Sequence, residues 1–185
     1  FEITGETSGE LSERGSELVT RAIELMRKGK GAEAEPLLRE ALTTDPDSPS
    51  VPNNIAAALR LQRRDAEADE MIREVHRRFP DYLFGIVGVA GLETKAGRTE
   101  EAARLLNRVL TRRQFHTSEF SAIACAEIDL QLARGEVEGA LRWLDMLEES
   151  VPDDPNLPAL RAKLLLDGAG RGGFWPFGRK RRRPK

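Results

Sequence analysis

The chain has 185 residues, 39% of them hydrophobic and 32% charged, with a formal net charge of −2. That length and balance suit one ordinary domain, or a solenoid of four to five helix pairs, with the composition of a soluble helical protein. No apolar run approaches a membrane span, and a single cysteine excludes an intramolecular disulfide.

A reducing compartment, the cytoplasm, is therefore expected. Basic residues are mostly Arg and Ala is abundant, a usage of GC-rich coding sequences that points to a bacterial source. Phe1 stands where a Met would begin a chain, so a processed or trimmed N-terminus is expected, with an upstream signal or anchor left open. The charge is unevenly spread. From Gly168 onward there are seven basic residues and no acid, which leaves −9 for residues 1–167.

Taken in order, residues 1–15 are polar and weakly periodic and read as an irregular lead-in. Residues 16–167 read as one helical domain. A first helix pair is expected over 16–28 and 32–44, closed by the prolines of Asp45-Pro-Asp-Ser-Pro49. A second follows over 50–63 and 65–78, with Asp65 as a cap, and a third over 83–96 and 99–112, with Thr99 as a cap. The first helix of the third pair carries Gly85, Gly88 and Gly91, which implies either a close helix contact, a groove needing room, or simply a weak helix. Residues 112–117 read as a loop with about four extra residues, then 118–134 and 136–150 form a fourth pair. A last helix over 156–167, with Leu157, Leu160 and Leu164 inward, would cap the open end. Residues 168–185 are a Gly-rich linker and a basic aromatic tail.

The pairs repeat. Ala34, Ala68 and Ala102 stand thirty-four residues apart, as do Leu38, Ile72 and Leu106, and Ala41, Val75 and Val109. In the preceding helices Ala22, Ala56 and Ala90 keep the same interval, and Gly29, Arg63 and Gly97 mark the turns between helices. Pro46 and Pro80 close the first two repeats. A fixed period of this length with two helices per unit is the mark of a helical solenoid. The pattern resembles the tetratricopeptide repeat family over roughly residues 15–155. The tryptophan and tyrosine of the family's first helix are replaced by Leu18 and Leu25, by Pro52 and Leu59, and by Ile86 and Glu93, and Gln114 replaces a closing proline. The resemblance implies an all-α, right-handed solenoid of helical hairpins, about four repeats plus a C-terminal capping helix.

Residues with catalytic potential are scattered. His76 lies among Glu74, Arg77 and Arg78 and reads as a solvated outer-face histidine; His116 is on another repeat, and neither has metal-ligand spacing to a Cys or carboxylate. Cys125 sits among Ala122, Ile123, Ala124 and Ala126 with no base nearby, as a packing or groove-lining thiol does. A non-catalytic protein without metal or cofactor is expected. In solenoids of this kind the first helices line the concave surface. The family register places there Val19, Ile23 and Met26, then Asn53, Ala57 and Arg60, then Phe84, Val87, Gly91 and Thr94, then Cys125, Asp129 and Leu132. Family members that grip a C-terminal carboxylate use a Lys/Asn/Arg set, of which only Asn53 matches in kind. An apolar helix or extended segment of a protein partner is the expected ligand, oriented by Arg60 and Asp129. The tail offers a second expectation. Arg179, Lys180, Arg181, Arg182 and Arg183 follow Trp175 and Phe177, a composition suited to nucleic-acid phosphates with ring stacking, or to an anionic membrane surface, so that the protein would be membrane-peripheral. A tail folded back onto the acidic body, and self-association, are further expectations.

Overall fold

The computed structural model describes residues 2–4 and 11–170, with side chains from Leu11 to Leu166. Nine helices and two short strands follow one another among these residues: β1 (Glu2–Thr4), α1 (Glu13–Arg27), α2 (Gly31–Thr44), α3 (Ser50–Leu61), α4 (Asp65–Arg78), α5 (Leu83–Lys95), α6 (Thr99–Leu110), β2 (Gln114–His116), α7 (Thr117–Arg134), α8 (Val137–Ser150) and α9 (Leu157–Gly170). The helices pack as antiparallel pairs, α1 with α2 through α7 with α8, and each pair stacks on the next, so that the architecture is an all-α solenoid of four hairpins with α9 against α8 and α7.

The repeating positions form its interior. Ala34, Ala68, Ala102 and Ala140 are all fully buried, and so are Leu38, Leu106 and Leu144, with Ile72 at 8%. Alanine at the hairpin contact lets two helix axes approach closely, while the larger residue one turn on fills the space beside it. The turns repeat as well. Gly29, Gly97 and Gly135 have positive φ, and Arg63 takes the same left-handed conformation at φ 62°. In each, the N–H of the next residue reaches back to close the helix: Lys30 to Leu25 C=O, Arg64 to Leu59, Arg98 to Glu93 and Glu136 to Gln131. Because this closure sets the entry to the following helix, Asp65 and Thr99 are first helical residues and not caps; the cap positions are Arg64 and Arg98, without side-chain capping bonds.

Two stretches expected to be irregular contain regular elements among the described residues. Within 1–15, Glu2–Thr4 is a strand and α1 begins at Glu13, because Ser12 caps it through Oγ to the Gly15 N–H. Asp45 fixes that cap by accepting from the Ser12 N–H and hydroxyl at 3.0 and 2.8 Å. A Cβ at Gly15 would lie 1.8 Å from the Asp45 Oδ2, so only glycine admits this contact. Within the expected loop 112–117, Gln114–His116 is a strand paired parallel with β1, Ile3 opposite Phe115. Phe115 is 1% exposed and belongs to the core. His116 then starts α7 with a reciprocal cap, its ring accepting from Ser118 N–H while Glu119 accepts from the His116 N–H. At the other end α9 continues through Gly170, into the stretch expected as linker; the remainder of the tail lies outside the described residues.

The three glycines of α5 divide by position. A Cβ at Gly88 would come 2.8 Å from Ile72 Cγ2, and one at Gly85 would come 3.2 Å from Val75 Cγ1, so these two serve a close approach of α5 to α4. Gly91 faces open space, with nothing within 4 Å.

Candidate partner-binding surface

The residues read as concave-facing fall in three rows along α1, α3, α5 and α7. The row Val19, Asn53, Val87, Cys125 runs deepest: Val19 and Val87 are 8% and 9% exposed, while Asn53 and Cys125 are half-buried. The row Ile23, Ala57, Gly91, Asp129 is the most open, with Ile23 half-buried, Ala57 exposed and Gly91 free on its outer side. Side chains shrink along the first three members of that row. The third row, Met26, Arg60, Thr94, Leu132, mixes half-buried Met26, Arg60 and Thr94 with Leu132 at 7%. Phe84 is half-buried against Tyr82, ring centroids 5.6 Å apart.

These residues do not share one apolar core. Val19, Ile23 and Met26 pack with the first cluster, and Phe84, Val87 and Leu132 with the second. The polar members are engaged locally. Arg60 donates to Asp69 at 2.8 Å, Thr94 to the Ala90 carbonyl at 2.9 Å, and Asp129 accepts from Lys163 of α9 at 2.7 Å. Arg60 and Asp129 are thus ion-paired within the chain. Three surface clefts lie elsewhere, two along α1 around Arg21 and Glu24 and one at the α7–α8 hairpin lined by Gln131, Arg142, Trp143 and Met146.

One group, His76, differs from its reading in the sequence, and burial also shifts the pKa of Cys125 and Glu127. His76 is half-buried, not solvated: its Nδ1 is buried without a hydrogen-bond partner, and burial, then the charge of Arg108, holds its pKa below the usual histidine value. Cys125 is pushed up to about 11, by burial first and then by Asp154 and Asp129, which keeps it a thiol. Glu127 was not singled out by its sequence context, yet it is 6% exposed and its pKa is raised by burial, opposed by a 3.4 Å hydrogen bond from Gln131. Gln131 lies across Gly139, whose missing Cβ makes the space. Among the described residues no group of three His, Cys, Asp or Glu side chains could hold a metal ion, and no helix is long and apolar enough to cross a membrane.

Two tetratricopeptide repeat family profiles match the sequence, one over residues 19–82 and the other over residues 94–164. The chain belongs to the tetratricopeptide repeat family. Among solved structures, it resembles MamA from Desulfovibrio magneticus RS-1 in a form running from residue 41 to the end, at 11% identity and TM-score 0.51 over 88% of each chain. An ArsTM double mutant of MamA RS-1 gives the same values. A tetratricopeptide repeat protein from Parabacteroides merdae ATCC 43184 is similar at 18% identity and TM-score 0.45, over 85% of this chain and 75% of that one. No curated protein matches the sequence. At such identities the MamA structures speak for the fold alone, and the tetratricopeptide repeats themselves for a protein-interaction scaffold in general.

Proposed function

We propose that the protein is a non-catalytic adaptor that holds an apolar helix or an extended segment of a partner protein along its first helices. The observation that carries this reading is the row Ile23, Ala57, Gly91. Three consecutive repeats present a side chain there that is half-buried, exposed, or absent, which supports reading the row as a lane with small walls. Val19, Val87 and Leu132, being buried, form the floor of such a lane and contribute little contact area; Ile23, Met26 and Phe84 are the apolar side chains with surface left to give. Arg60 and Asp129 enter as ion pairs whose spare lone pairs and N–H groups orient backbone amides, and not as free charges seeking a carboxylate. Such a lane selects by shape and apolar contact, so capture by it should tolerate salt.

A photo-crosslinking residue placed at position 57 should join the full chain to a discrete partner in a cell extract. The same residue at position 66, exposed on α4, should not. Filling the lane with Gly91→Leu should abolish the position-57 adduct while circular dichroism stays unchanged. Equal crosslinking from 57 and 66, or an adduct indifferent to Gly91→Leu, would place the binding face elsewhere.

A further inference from the structure

Helix α9 is apolar on two opposite sides. Leu157, Leu160 and Leu164 face the core at 7% exposure or less. On the far side, at helical spacing, Pro158, Ala162, Leu165 and Leu166 are all exposed, and Leu165 and Leu166 reach 49% and 75%. The helix closing a solenoid ordinarily turns a polar face outward, because nothing stacks on it. Here the polar residues stand at the margins of the outer face. Arg161 is paired with Glu148 and Lys163 with Asp129, each at 2.7 Å, and Asn156 and Ser121 add a 3.2 Å bond at the start of the helix. The helix is therefore pinned with its apolar outer side displayed. The sequence that follows holds Phe174, Trp175, Phe177 and seven basic residues, with no acid after Asp167.

We propose that this end of the solenoid, the outer side of α9 together with the stretch 171–185, docks on an anionic lipid surface. Aliphatic and aromatic side chains partition into the headgroup–acyl boundary while cations lie over acidic headgroups. Neither signal alone gives firm attachment, and the two together do. A polynucleotide would satisfy the cations and stack the rings but offers the leucines no hydrocarbon. A second copy seated on the same side would bring two +7 stretches together, which like-charge repulsion opposes. The acidic remainder of the chain is compatible with an anionic surface. Attachment by one end leaves most of it farther away than the screening length of about 8 Å at physiological salt. The lane along the first helices stays open, so the inference is independent of the adaptor reading.

The test is flotation of the full chain with phosphatidylcholine vesicles, with and without phosphatidylglycerol, beside a fluorescent ribo-oligonucleotide and sedimentation of the chain alone. Flotation should require phosphatidylglycerol. Leu165→Gln with Leu166→Gln should weaken it about ten-fold with helix content intact, a two-leucine loss from the interface. Leu166→Gln alone, at the most exposed position, should weaken it in the same direction. Arg181, Arg182 and Arg183 changed to Gln should remove the preference for phosphatidylglycerol, and Gly91→Leu should float like the native chain. The proposal is overturned if the double leucine variant floats as the native chain does. It is equally overturned if the chain binds the oligonucleotide and ignores vesicles, or if it is a dimer that the leucine changes dissociate while no form floats.

Discussion

In the first two repeats the interior is wholly aliphatic: Leu18, Leu38, Ile55 and Leu59 between columns of alanine, with no ring among the clustered residues. In the last two, Phe115 and Phe120 are each 1% exposed, Trp143 leans on Phe120 with centroids 6.4 Å apart, and the cluster runs on through Leu157, Leu160 and Leu164 of α9. Between the halves lies a thin seam of Ala56, Ile72 and Leu92, beside the glycine face of α5. Both halves keep alanine at the hairpin contact, so they share a register and differ in what surrounds it. Where the thirty-four-residue interval holds, small side chains let neighbouring repeats close upon one another. Where extra residues enter, at the α6–α7 connection and in the long α7, the rings of Phe115 and Phe120 take up the interior volume.

The ion pairs follow the same division. In the first half the buried Glu35 accepts from Arg39, Arg64 and Gln62, which ties α2 to the next turn, and its carboxyl is held below the usual range, by Gln62 first and then Arg39 and Arg64, against the effect of burial. In the second half Arg134 reaches back to Glu100 and the Thr99 carbonyl. At the seam the equivalent acid, Asp69, turns to Arg60 of its own hairpin.

Four substitutions break or sharpen this contrast. Phe115→Ala removes the ring that fills the second half and should cost about 3–5 kcal/mol in urea unfolding. Hydrogen exchange should show α5 to α9 losing protection while α1 to α3 keep theirs; uniform loss would mean that the halves are one cooperative unit. Gly88→Leu drives a side chain into Ile72 across the seam and should cost about 1–3 kcal/mol, whereas Gly91→Leu, one turn along the same helix and facing open space, should stabilise by up to about 1 kcal/mol. Equal effects of the two would show that helix propensity, and not the approach of α4, governs the glycines. The smallest effect is expected at Arg63, a non-glycine residue in the left-handed conformation that Gly29, Gly97 and Gly135 occupy elsewhere. Arg63→Gly should raise stability by about 1 kcal/mol, and an unchanged melting temperature would mean that its unfolded chain gains as much freedom as the turn loses strain.

The solenoid was legible because each repeating residue meets the same surroundings in every repeat, so one interval predicts many burials. Ala34, Ala68 and Ala102 could be placed without knowing anything else about the chain. The strand at Gln114–His116 could not be read in the same way, since its partner lies some 110 positions earlier and three residues carry no periodic signature. A lone phenylalanine in a polar connection was the available sign. The rows along the first helices are assigned from the repeat register, which carries no information on depth. A helix face tells where Val19, Val87 and Leu132 point, while neighbouring repeats decide that they are buried. The ion pair of Asp129 could not be read in the same way, because Lys163 comes from α9, outside the repeating interval.

The pairing of β1 with β2 changes how the chain reaches its folded state. Every helical contact in a solenoid links near neighbours in sequence, so such folds zip from any repeat and lose structure from their ends. Glu2 opposite Gln114 instead closes a ring of roughly 110 residues, which costs about (3/2)RT ln n of chain entropy. That closure is affordable only after the repeats have already brought the two strands together. Folding should therefore end with the pairing of Glu2–Thr4 onto Gln114–His116. Once paired, Glu2–Thr4 tie the segment before α1 to the connection between the third and fourth repeats, so that α1 cannot fray away without first undoing a contact in the other half.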